Sequence, residues 1–367
     1  MGRSGAAFIG LCVAVAAALA PSTAGADTTW VVRGAGFGHG VGMSAYGAYG
    51  FAKHDFEYKR ILRHYYTATQ IDRLDHTRRV RVLLGTEASE VAFSGATKAC
   101  GRSVQASRSL RATRTGSSVR LVSAAGETLA NCGDRLRASG GKTVKITGYG
   151  TFRGALSAVV SGSALNVVND VELEDYVRGS VPAEVFPSWP GETLKSMAVA
   201  IRSIAITTDV GGDGFELYSD TRTQLYKGVA VEAESTDHAV KNTRGQVVTY
   251  HGDPIQAVYF SASGGQTESG FLGAPEVPYL QSVNDPYDDY SPLHRWTLRF
   301  TQAEMDARLG SFVEGHLRRI KVTERGDSPR INYARLVGSD GNSTIRGDTL
   351  RGAMGLYDRW AHFEKKR

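Results

Sequence analysis

The hydrophobic pattern of this 367-residue chain changes period along its length, and that change limits the fold more than any other feature. Residues 78–169 contain short apolar runs typical of β-strands, separated by Gly, Ser and Asn turn residues. Residues 192–207 instead carry an apolar stripe at helical spacing, which predicts a buried central helix. The predicted class is α+β, with two lobes, mixed sheets and a β-rich insert.

The same patterns divide the chain into segments. The predicted segments are a signal peptide (1–26), an N-terminal glycine-rich segment that packs on the main domain (27–75), a β-rich region (76–165) and the main domain (166–367). Within the main domain, Thr301 and Glu304 have the Thr-x-x-Glu spacing of a capping box, which predicts the start of a helix.

The first 26 residues have the form of a secretory signal peptide. Arg3 supplies a positive charge, AAFIGLCVAVAAALA an apolar run, and Ala24-Gly25-Ala26 an A-x-A cleavage pattern. We therefore expect cleavage after Ala26 and a secreted, extracytoplasmic protein. The apolar run is shorter than the roughly 20 residues that a membrane span needs, and no later segment reaches that length, so no transmembrane segment is expected in the mature chain.

Two cysteines, Cys100 and Cys132, remain once Cys12 is removed with the signal peptide. In an oxidising compartment a disulfide between them is expected, and two unpaired buried thiols are the alternative. The formal net charge of +6 favours an acidic partner such as nucleic acid, anionic lipid or acidic polysaccharide. No nucleic-acid-binding motif accompanies this charge, so nucleic acid is not expected as a partner.

The stretch RGAGFGHGVGMSAYGAYGFAKHD, residues 33–55, has glycine at every second position from 34 to 42. Its G-x-G-x-G spacing and the lack of a Walker lysine argue against a phosphate-binding loop. A metal site of His39, His54 and His64 is disfavoured by their irregular spacing. Two interpretations remain, a tight close-packed turn or a cleft wall where backbone amides approach a ligand.

Glu184 lies between two prolines in the apolar segment VPAEVFPSWP. A carboxyl group held among apolar groups has a raised pKa, which suits a general acid near neutral pH, and an ordinary surface or capping glutamate is the alternative. The segments SDTRTQLYKG (219–228) and YFSASGGQTES (259–269) combine hydroxyl and amide side chains with glycines. They have the composition of sugar-binding loops or, alternatively, of polar turns.

Together these motifs resemble the bacterial SpoIID/LytB family, which is named for stage II sporulation protein D and an amidase enhancer. The segments that carry the resemblance are GFGHGVGMSAYGAYG, ILRHYYTAT, LNVVNDVELEDYVRGSVPAEVFPSWPGETLKSMAVAIRSIAI, SDTRTQLYKG, AVYFSASGGQTES and PYLQSVNDPYD. They cover most of residues 33–300 apart from the β-rich insert. The resemblance therefore implies that residues 166–367 form a SpoIID/LytB-like core domain.

The resemblance implies an enzyme that acts on the bacterial cell wall. Sporulation members of the family are lytic transglycosylases that cut peptide-free peptidoglycan glycan strands, and their catalytic glutamate matches Glu184. It would protonate the glycosidic oxygen and then accept the proton of the muramic acid C6 hydroxyl, which leaves a 1,6-anhydro end. The substrate-binding residues expected on this basis are His39, Ser44, Tyr46, Gln224, Tyr226, Ser261, Gly264, Gly265 and Thr267.

A second function implied by the family is a non-catalytic glycan-binding module that stimulates a separate murein amidase. The partners expected are therefore glycan strands and, for the second function, an amidase. The location expected is the cell wall, and the role expected is sporulation or wall remodelling. The retained Glu184 favours the enzyme, whereas altered neighbours favour the binding module.

These departures from the family pattern surround the predicted catalytic residue. Val185 and Phe186 replace the Met-Pro that follows the glutamate, and Met197, Phe260 and Ala45 stand where Gln, His and Gln are common. Arg222 and Thr223 occupy the positions where some members hold zinc through Cys and His. No zinc and no other cofactor is therefore expected.

The order of the motifs also differs from the family pattern. In many members the Gly-His-Gly motif follows a segment like RGDTLRGAMGL, whereas here it precedes the rest of the family segments. This predicts a permuted order of the Gly-His-Gly motif. A permuted chain needs its two ends to be neighbours, which is common in compact domains.

Overall fold

The computed structural model describes residues 28–76 and 78–366, which form 24 strands and seven helices. Because helices and several separate, mainly antiparallel sheets occur together, the predicted α+β class is confirmed. The predicted signal peptide and its cleavage site lie outside the described residues. No described helix is long and apolar enough to cross a membrane.

The helices are α1 (Ala45–Lys53), α2 (Tyr58–Tyr65), α3 (Leu173–Glu184), α4 (Gly191–Thr207), α5 (Glu234–Asn242), α6 (Gln302–Leu309) and α7 (Gly347–Met354). The strands are β1 (Thr29–Ala35), β2 (Met43–Ser44), β3 (Gln70–Arg73), β4 (Arg79–Glu87), β5 (Glu90–Ser94), β6 (Lys98–Ala99), β7 (Arg102–Ser103), β8 (Leu110–Thr115), β9 (Ser118–Ser123), β10 (Thr128–Asn131), β11 (Arg135–Ser139), β12 (Val144–Ile146), β13 (Gly150–Phe152), β14 (Ala155–Ser161), β15 (Ala164–Glu172), β16 (Leu217–Tyr218), β17 (Gln246–Tyr250), β18 (Asp253–Pro254), β19 (Tyr259–Phe260), β20 (Arg295–Thr301), β21 (Leu317–Arg325), β22 (Ile331–Gly338), β23 (Asn342–Arg346) and β24 (Ala361–Lys366).

Two sheets form the β-rich part of the chain. One has the strand order β10-β9-β8-β5-β12-β13 and the other β16-β4-β15-β14-β11-β6-β7, and β16 pairs with β4 in parallel. Alternate side chains of these strands, such as Leu121 and Leu136, are fully buried in one shared core. The disulfide between Cys100 and Cys132 joins the turn after β6 to the turn after β10, so it links the two sheets and confirms the predicted bond.

Helix α4 is buried, and it contacts α1, α2, α3, α5 and β17. Its apolar stripe includes Leu194, Met197 and Ile201, which are at most 1% exposed. The fully buried guanidinium of Arg202 forms a bidentate hydrogen-bonded pair with Glu174 of α3 at 2.9 Å. This pair fixes α3 against α4, and Glu184 is the last residue of α3.

A second hydrophobic core lies around β1, which pairs with β20 on one side and β24 on the other. Strands β21, β22 and β23 and helices α6 and α7 pack on it, and α6 begins at the predicted capping box of Thr301 and Glu304. The two separate cores do not by themselves define two lobes. The two-lobed arrangement and the segment boundaries therefore stay predictions.

The glycine-rich segment runs beside residues 259–268. Strand β2 pairs in parallel with β19, and isolated bridges join Phe37 to Ala262 and Val41 to Glu268. A side chain at Gly42 would clash with the carbonyl oxygen of Val258, 2.1 Å from an added Cβ. The glycines therefore allow two backbones to approach closely, and this contact forms one wall of a cleft.

Candidate functional site

A cleft of about 620 Å³ lies where five segments of the chain meet. Its lining comes from residues 39–46, from the end of α3 and the turn that follows, from α4, from residues 221–223 and from residues 256–261. Four of the residues predicted from the sequence lie in this lining: His39, Tyr46, Glu184 and Ser261. The segments that carry them are far apart in sequence, so the fold assembles the site.

Glu184 is placed in the cleft by the end of helix α3. The helix stops there because Val185 is extended and Pro187 follows, and Val185 itself is buried. The backbone amide of Leu225 donates to Oε1 of Glu184 at 2.6 Å. Burial raises the pKa of the Glu184 carboxyl, and the hydrogen bonds from Leu225 and Tyr259 lower it by less than burial raises it.

A chain of hydrogen bonds leads from the protein interior to Glu184. The hydroxyl of Tyr176 donates to Oε1 of Gln224 at 3.1 Å, and Nε2 of Gln224 donates to the hydroxyl oxygen of Tyr259 at 3.2 Å. The Tyr259 oxygen accepts from Gln224, and the Tyr259 hydroxyl in turn lowers the pKa of the neighbouring Glu184 carboxyl. Gln224 is 2% exposed, so it supports the site from outside the cleft.

His39 lines the cleft with both ring nitrogens engaged. Nε2 donates to the carbonyl oxygen of Tyr259 at 3.0 Å, and Nδ1 accepts from the amide of Val41 at 3.1 Å. This pattern assigns the hydrogen to Nε2 of a neutral ring. Burial, together with the nearby arginines Arg351, Arg330 and Arg359, lowers the pKa of His39 to about 4. His39 therefore joins two backbone segments as a neutral hydrogen-bonding side chain.

The structure does not bring the other predicted contacts to the cleft lining. Each has its polar group engaged within the protein, as follows: the Ser44 hydroxyl with Asp288, the Tyr226 hydroxyl with Asn169, the Gly264 amide with Asp288, the Gly265 amide with the Ser263 hydroxyl, and the Thr267 hydroxyl with the amide of Val283. With Gln224, these residues form the support of the cleft. Their hydrogen bonds hold the loops that carry the lining residues.

The sequence analysis did not predict a role for two residues of the site, Tyr259, which lines the cleft, and Asp288, which holds the loops behind it. Both lie inside motifs that carry the family resemblance, AVYFSASGGQTES and PYLQSVNDPYD. Asp288 is fully buried and accepts hydrogen bonds from the Ser44 hydroxyl and from the amides of Ser263 and Gly264. Buried carboxylates need such partners, but Asp285 lies in the same motif and Asp289 follows it, so nothing in the sequence singles out Asp288.

The described residues contain no group of three or more His, Cys, Asp or Glu side chains placed to hold a metal ion. The three histidines considered as a metal site have separate partners, since His54 stacks on Tyr287 at 4.1 Å and His64 hydrogen-bonds the carbonyl of Asn284. Arg222 pairs with Asp220 and covers the Tyr218 ring at 3.7 Å. The expectation that this site takes no zinc stays a prediction.

The side chains around Glu184 combine one acid with an aromatic wall. Of the described residues that line the cleft, Glu184 is the one carboxylic acid, and Tyr46, Trp189 and Phe186 lie beside it. The Tyr46 and Trp189 rings are 4.9 Å apart, and those of Phe186 and Trp189 are 5.9 Å apart. Aromatic rings can bind the apolar face of a sugar ring, and a neighbouring acid with a raised pKa can donate a proton to a glycosidic oxygen.

Comparisons with known proteins agree with the motifs. Residues 161–250 match the SpoIID family, described as stage II sporulation protein. The chain is 32% identical over 230 residues to stage II sporulation protein D of Bacillus subtilis (strain 168) and 30% identical over 230 residues to that of Bacillus amyloliquefaciens. Each match covers 58% of this chain and 65% of the relative.

A further match is to a protein named amidase enhancer from Bacillus subtilis (strain 168). It is 35% identical over 133 residues, which cover 36% of this chain and 18% of that protein. The chain therefore spans just under two thirds of the sporulation relatives and less than a fifth of the amidase enhancer.

Proposed function

This chain belongs to the SpoIID/LytB family, and from that premise we propose that it is a lytic transglycosylase. Its substrate is the peptide-free glycan strand of peptidoglycan, and its products carry 1,6-anhydromuramyl ends. The role is cell-wall remodelling or sporulation. The protein acts outside the cytoplasm after removal of residues 1–26.

The position of Glu184 is the observation that carries this proposal. It is the one carboxylic acid among the described residues of the cleft lining, and burial keeps its pKa raised. A glycoside hydrolase uses a second carboxylate as base or nucleophile, about 5–9.5 Å from the first. A transglycosylase of this type needs one carboxyl group, because the attacking hydroxyl belongs to the substrate itself.

The reaction uses Glu184 twice. In the first step its protonated carboxyl gives a proton to the glycosidic oxygen, and the bond from that oxygen to the muramyl C1 breaks with its electron pair on the oxygen. In the second step the C6 hydroxyl oxygen of the same muramyl residue bonds to C1, and the Glu184 carboxylate takes up the hydroxyl proton. No water is consumed, and the carboxyl group returns to its protonated state.

Three features of the chain support Glu184 in this role. The amide of Leu225 donates to the Glu184 carboxyl group, and the Tyr259 hydroxyl lowers its pKa, so both stabilise the carboxylate that forms after the first step. Trp189 and Tyr46 provide aromatic surface for the sugar rings. The net positive charge of the chain suits the lactyl carboxylates of a glycan strand without peptides.

The permuted motif order is part of the same proposal. The glycine-rich segment follows β1, and β1 pairs with β24 along its length, with Trp30 opposite Lys365. This pairing supports a permuted order because the first and last described strands are neighbours.

Purified protein incubated with peptide-free glycan strands tests the proposed reaction. We expect products with 1,6-anhydromuramyl ends, identified by mass as 18 Da lighter than the hydrolysis products, a difference of one water. Glu184→Gln keeps the Leu225 hydrogen bond but cannot give up a proton, so it should form no such ends. A wild-type protein that makes none, or a variant that makes as many, contradicts the proposal.

The match to the amidase enhancer favours a second candidate function, in which the protein binds glycan and stimulates a separate murein amidase. The exposed Phe186, which replaces a proline of the family pattern, supplies apolar surface at the rim of the cleft for such contacts. This second function is tested by measuring how fast a murein amidase releases peptides from intact cell wall with and without this protein. Stimulation by Glu184→Gln as strong as by the wild type, with no anhydro ends from either, would favour this function.

A further inference from the structure

Helix α1 contains the tripeptide repeat AYGAYG, residues 45–50, and the structure explains its spacing. Residues three apart lie on nearly the same face of a helix, so Gly47 and Gly50 share one face while Tyr46 and Tyr49 share another. An added Cβ would lie 2.1 Å from the Tyr65 hydroxyl at Gly47 and 2.0 Å from the carbonyl oxygen of Tyr287 at Gly50. The glycine face is therefore pressed into the core, and the tyrosine face points away from it.

Tyr49, on this tyrosine face, belongs to a continuous row of aromatic rings that begins in the cleft, which we call the aromatic row. It consists of Phe186, Trp189, Tyr49 and Tyr290, with successive ring centroids 5.9, 5.1 and 5.2 Å apart. Its two ends are open to solvent, since Phe186 is 62% and Tyr290 45% exposed, whereas Trp189 and Tyr49 are half-buried. Phe186 and Trp189 line the Glu184 cleft, and Tyr49 and Tyr290 continue the row beyond it.

The far end of the row is held in place by the protein core. Tyr290 ends a short 3-10 turn, Asp288–Tyr290, that packs on α1. Asp288 at the start of this turn is fully buried and accepts from the Ser44 hydroxyl, which also caps α1. Helix and turn are therefore joined through one buried hydrogen-bonded pair, which fixes the backbone that carries Tyr49 relative to the backbone that carries Tyr290.

We propose that the aromatic row binds successive sugar rings of a peptide-free glycan strand and extends the cleft beyond the bond that is cleaved. The inference rests on the proposed function for its ligand. The C–H faces of β-linked sugar rings are apolar and pack on aromatic rings, while their hydroxyl edges stay in water. Each step along the row is about the length of one sugar ring, and the row is continuous with the cleft that holds Glu184.

This site makes affinity depend on strand length. A fragment of two sugars bound beside Glu184 is too short to cover the three steps of the row as well, whereas a strand of eight or more sugars is long enough to reach Tyr49 and Tyr290. The wild type should therefore bind the long strand more tightly than the short fragment. A protein surface that used the same rings for a partner protein would give no such dependence.

Calorimetry tests whether the aromatic row binds sugars. The affinities for long strands and for disaccharide fragments are measured on the full chain, which carries Glu184→Gln to prevent turnover. Adding Tyr290→Ala should lower the ratio of long-strand to short-fragment affinity by roughly threefold to tenfold, the range expected for one aromatic contact. Tyr290→Phe keeps the ring and should keep the ratio. Phe37→Ala removes an exposed aromatic ring outside both the row and the cleft lining, and it should also keep the ratio.

The outcomes separate this inference from the proposed function. If Tyr290→Ala leaves both the affinity ratio and the unfolding temperature unchanged, the proposal that the aromatic row binds glycan is overturned, even if the wild type forms anhydro ends. A lowered affinity ratio supports glycan binding by the aromatic row even if the wild type forms no anhydro ends. In that case the proposed reaction fails and glycan binding stands. A protein that binds neither the long strand nor the fragment overturns both.

Discussion

The hydroxyl of Ser44 donates to the buried carboxylate of Asp288 at 2.7 Å and, at the same time, accepts from the amide of Gly47 at 3.0 Å. One side chain therefore caps helix α1 and ties it to the turn that carries Tyr290. Ser44, which the sequence predicted as a glycan contact, is fully buried, and its hydroxyl is engaged with Asp288. Its role should show in stability rather than in substrate affinity.

Ser44→Ala removes both hydrogen bonds, so the buried Asp288 carboxylate loses one of its hydrogen-bond donors. We expect the free energy of unfolding to fall by about 2–3 kcal/mol, more than the ~1 kcal/mol typical of a helix cap alone. Urea unfolding measures it, with Thr301→Ala as the control because Thr301 caps α6 at an exposed position. A variant of wild-type stability whose KM for glycan strands rises would instead restore Ser44 as a substrate contact.

The sequence anticipated those parts of the fold that depend on local pattern. The apolar stripe of Leu194, Met197 and Ile201 predicted the buried helix α4, because a helix with such a stripe must cover it. The capping box of Thr301 and Glu304 predicted the start of α6, because both hydrogen bonds are made within one turn. In each case the deciding contacts lie within the element or follow from its apolar face.

The functions of single polar residues in the site could not be predicted in this way. Whether the Ser44 hydroxyl faces a ligand or Asp288 depends on a residue 244 positions away. The Tyr259 hydroxyl lies beside Glu184 and accepts from Gln224, which Tyr176 holds in place. Composition shows that such groups can bind sugars, and the long-range pairing of the chain decides which of them are free to do so.

Tyr259→Phe removes a hydrogen bond that lowers the pKa of Glu184 and stabilises its carboxylate. The pKa of Glu184 should rise further, so the alkaline limb of the pH–rate profile should move to higher pH. The rate at the optimum should fall roughly tenfold or more, because the carboxylate formed in the first step loses a donor. Initial rates of anhydro-end formation between pH 4 and 9 measure both effects.

Tyr226→Phe is the matched control for this change. Tyr226 is also a buried tyrosine next to Tyr176, but its hydroxyl donates to Asn169 at 2.7 Å. The alkaline limb of its profile should stay where the wild type has it. A shift of the same size in both variants would mean that the effect comes from packing around Tyr176 and not from the Tyr259 hydroxyl.

His39 should make the folded protein sensitive to acid. The unfolded chain protonates this histidine near its ordinary pKa of 6.5, whereas burial and the neighbouring arginines lower the pKa in the folded state to about 4. The unfolded state therefore binds more protons between these values, and stability is lost as the pH falls from 6.5 towards 4. The loss should reach about 3 kcal/mol, the equivalent of the difference between the two pKa values.

A comparison of the wild type with His39→Gln isolates the contribution of His39 to acid sensitivity. The difference in their free energies of unfolding is followed from pH 7.5 to 4. The wild type should lose stability relative to the variant as the pH falls, because glutamine does not titrate. Asp285, whose pKa burial and the nearby Asp288 raise to about 7, titrates in both proteins and cancels. His238→Gln, at an exposed position on α5, should keep the wild-type acid sensitivity, and a pH-independent difference for His39→Gln would contradict the assignment.

Glu184→Gln should make the protein more stable at alkaline pH while it abolishes the proposed activity. Because burial raises the pKa of Glu184 in the folded state, the carboxylate is less favourable there than in the unfolded chain. Stability is therefore lost as the pH rises through the folded pKa, and glutamine removes that loss. We expect the unfolding temperature of the variant to exceed that of the wild type by roughly 1–3 °C at pH 8 and by less as the pH approaches 4.

Glu232→Gln provides the opposite case for this comparison. The Glu232 carboxylate accepts from Arg153 at 2.8 Å and from Arg178 at 3.1 Å, so its neutralisation breaks ion pairs and should lower the unfolding temperature at pH 8. Calorimetric scans of both variants between pH 4 and 8 separate the two kinds of carboxyl group. Buried acids that serve in catalysis commonly cost stability, and a Glu184→Gln protein less stable than the wild type at pH 8 would show that Glu184 is instead a structural carboxylate.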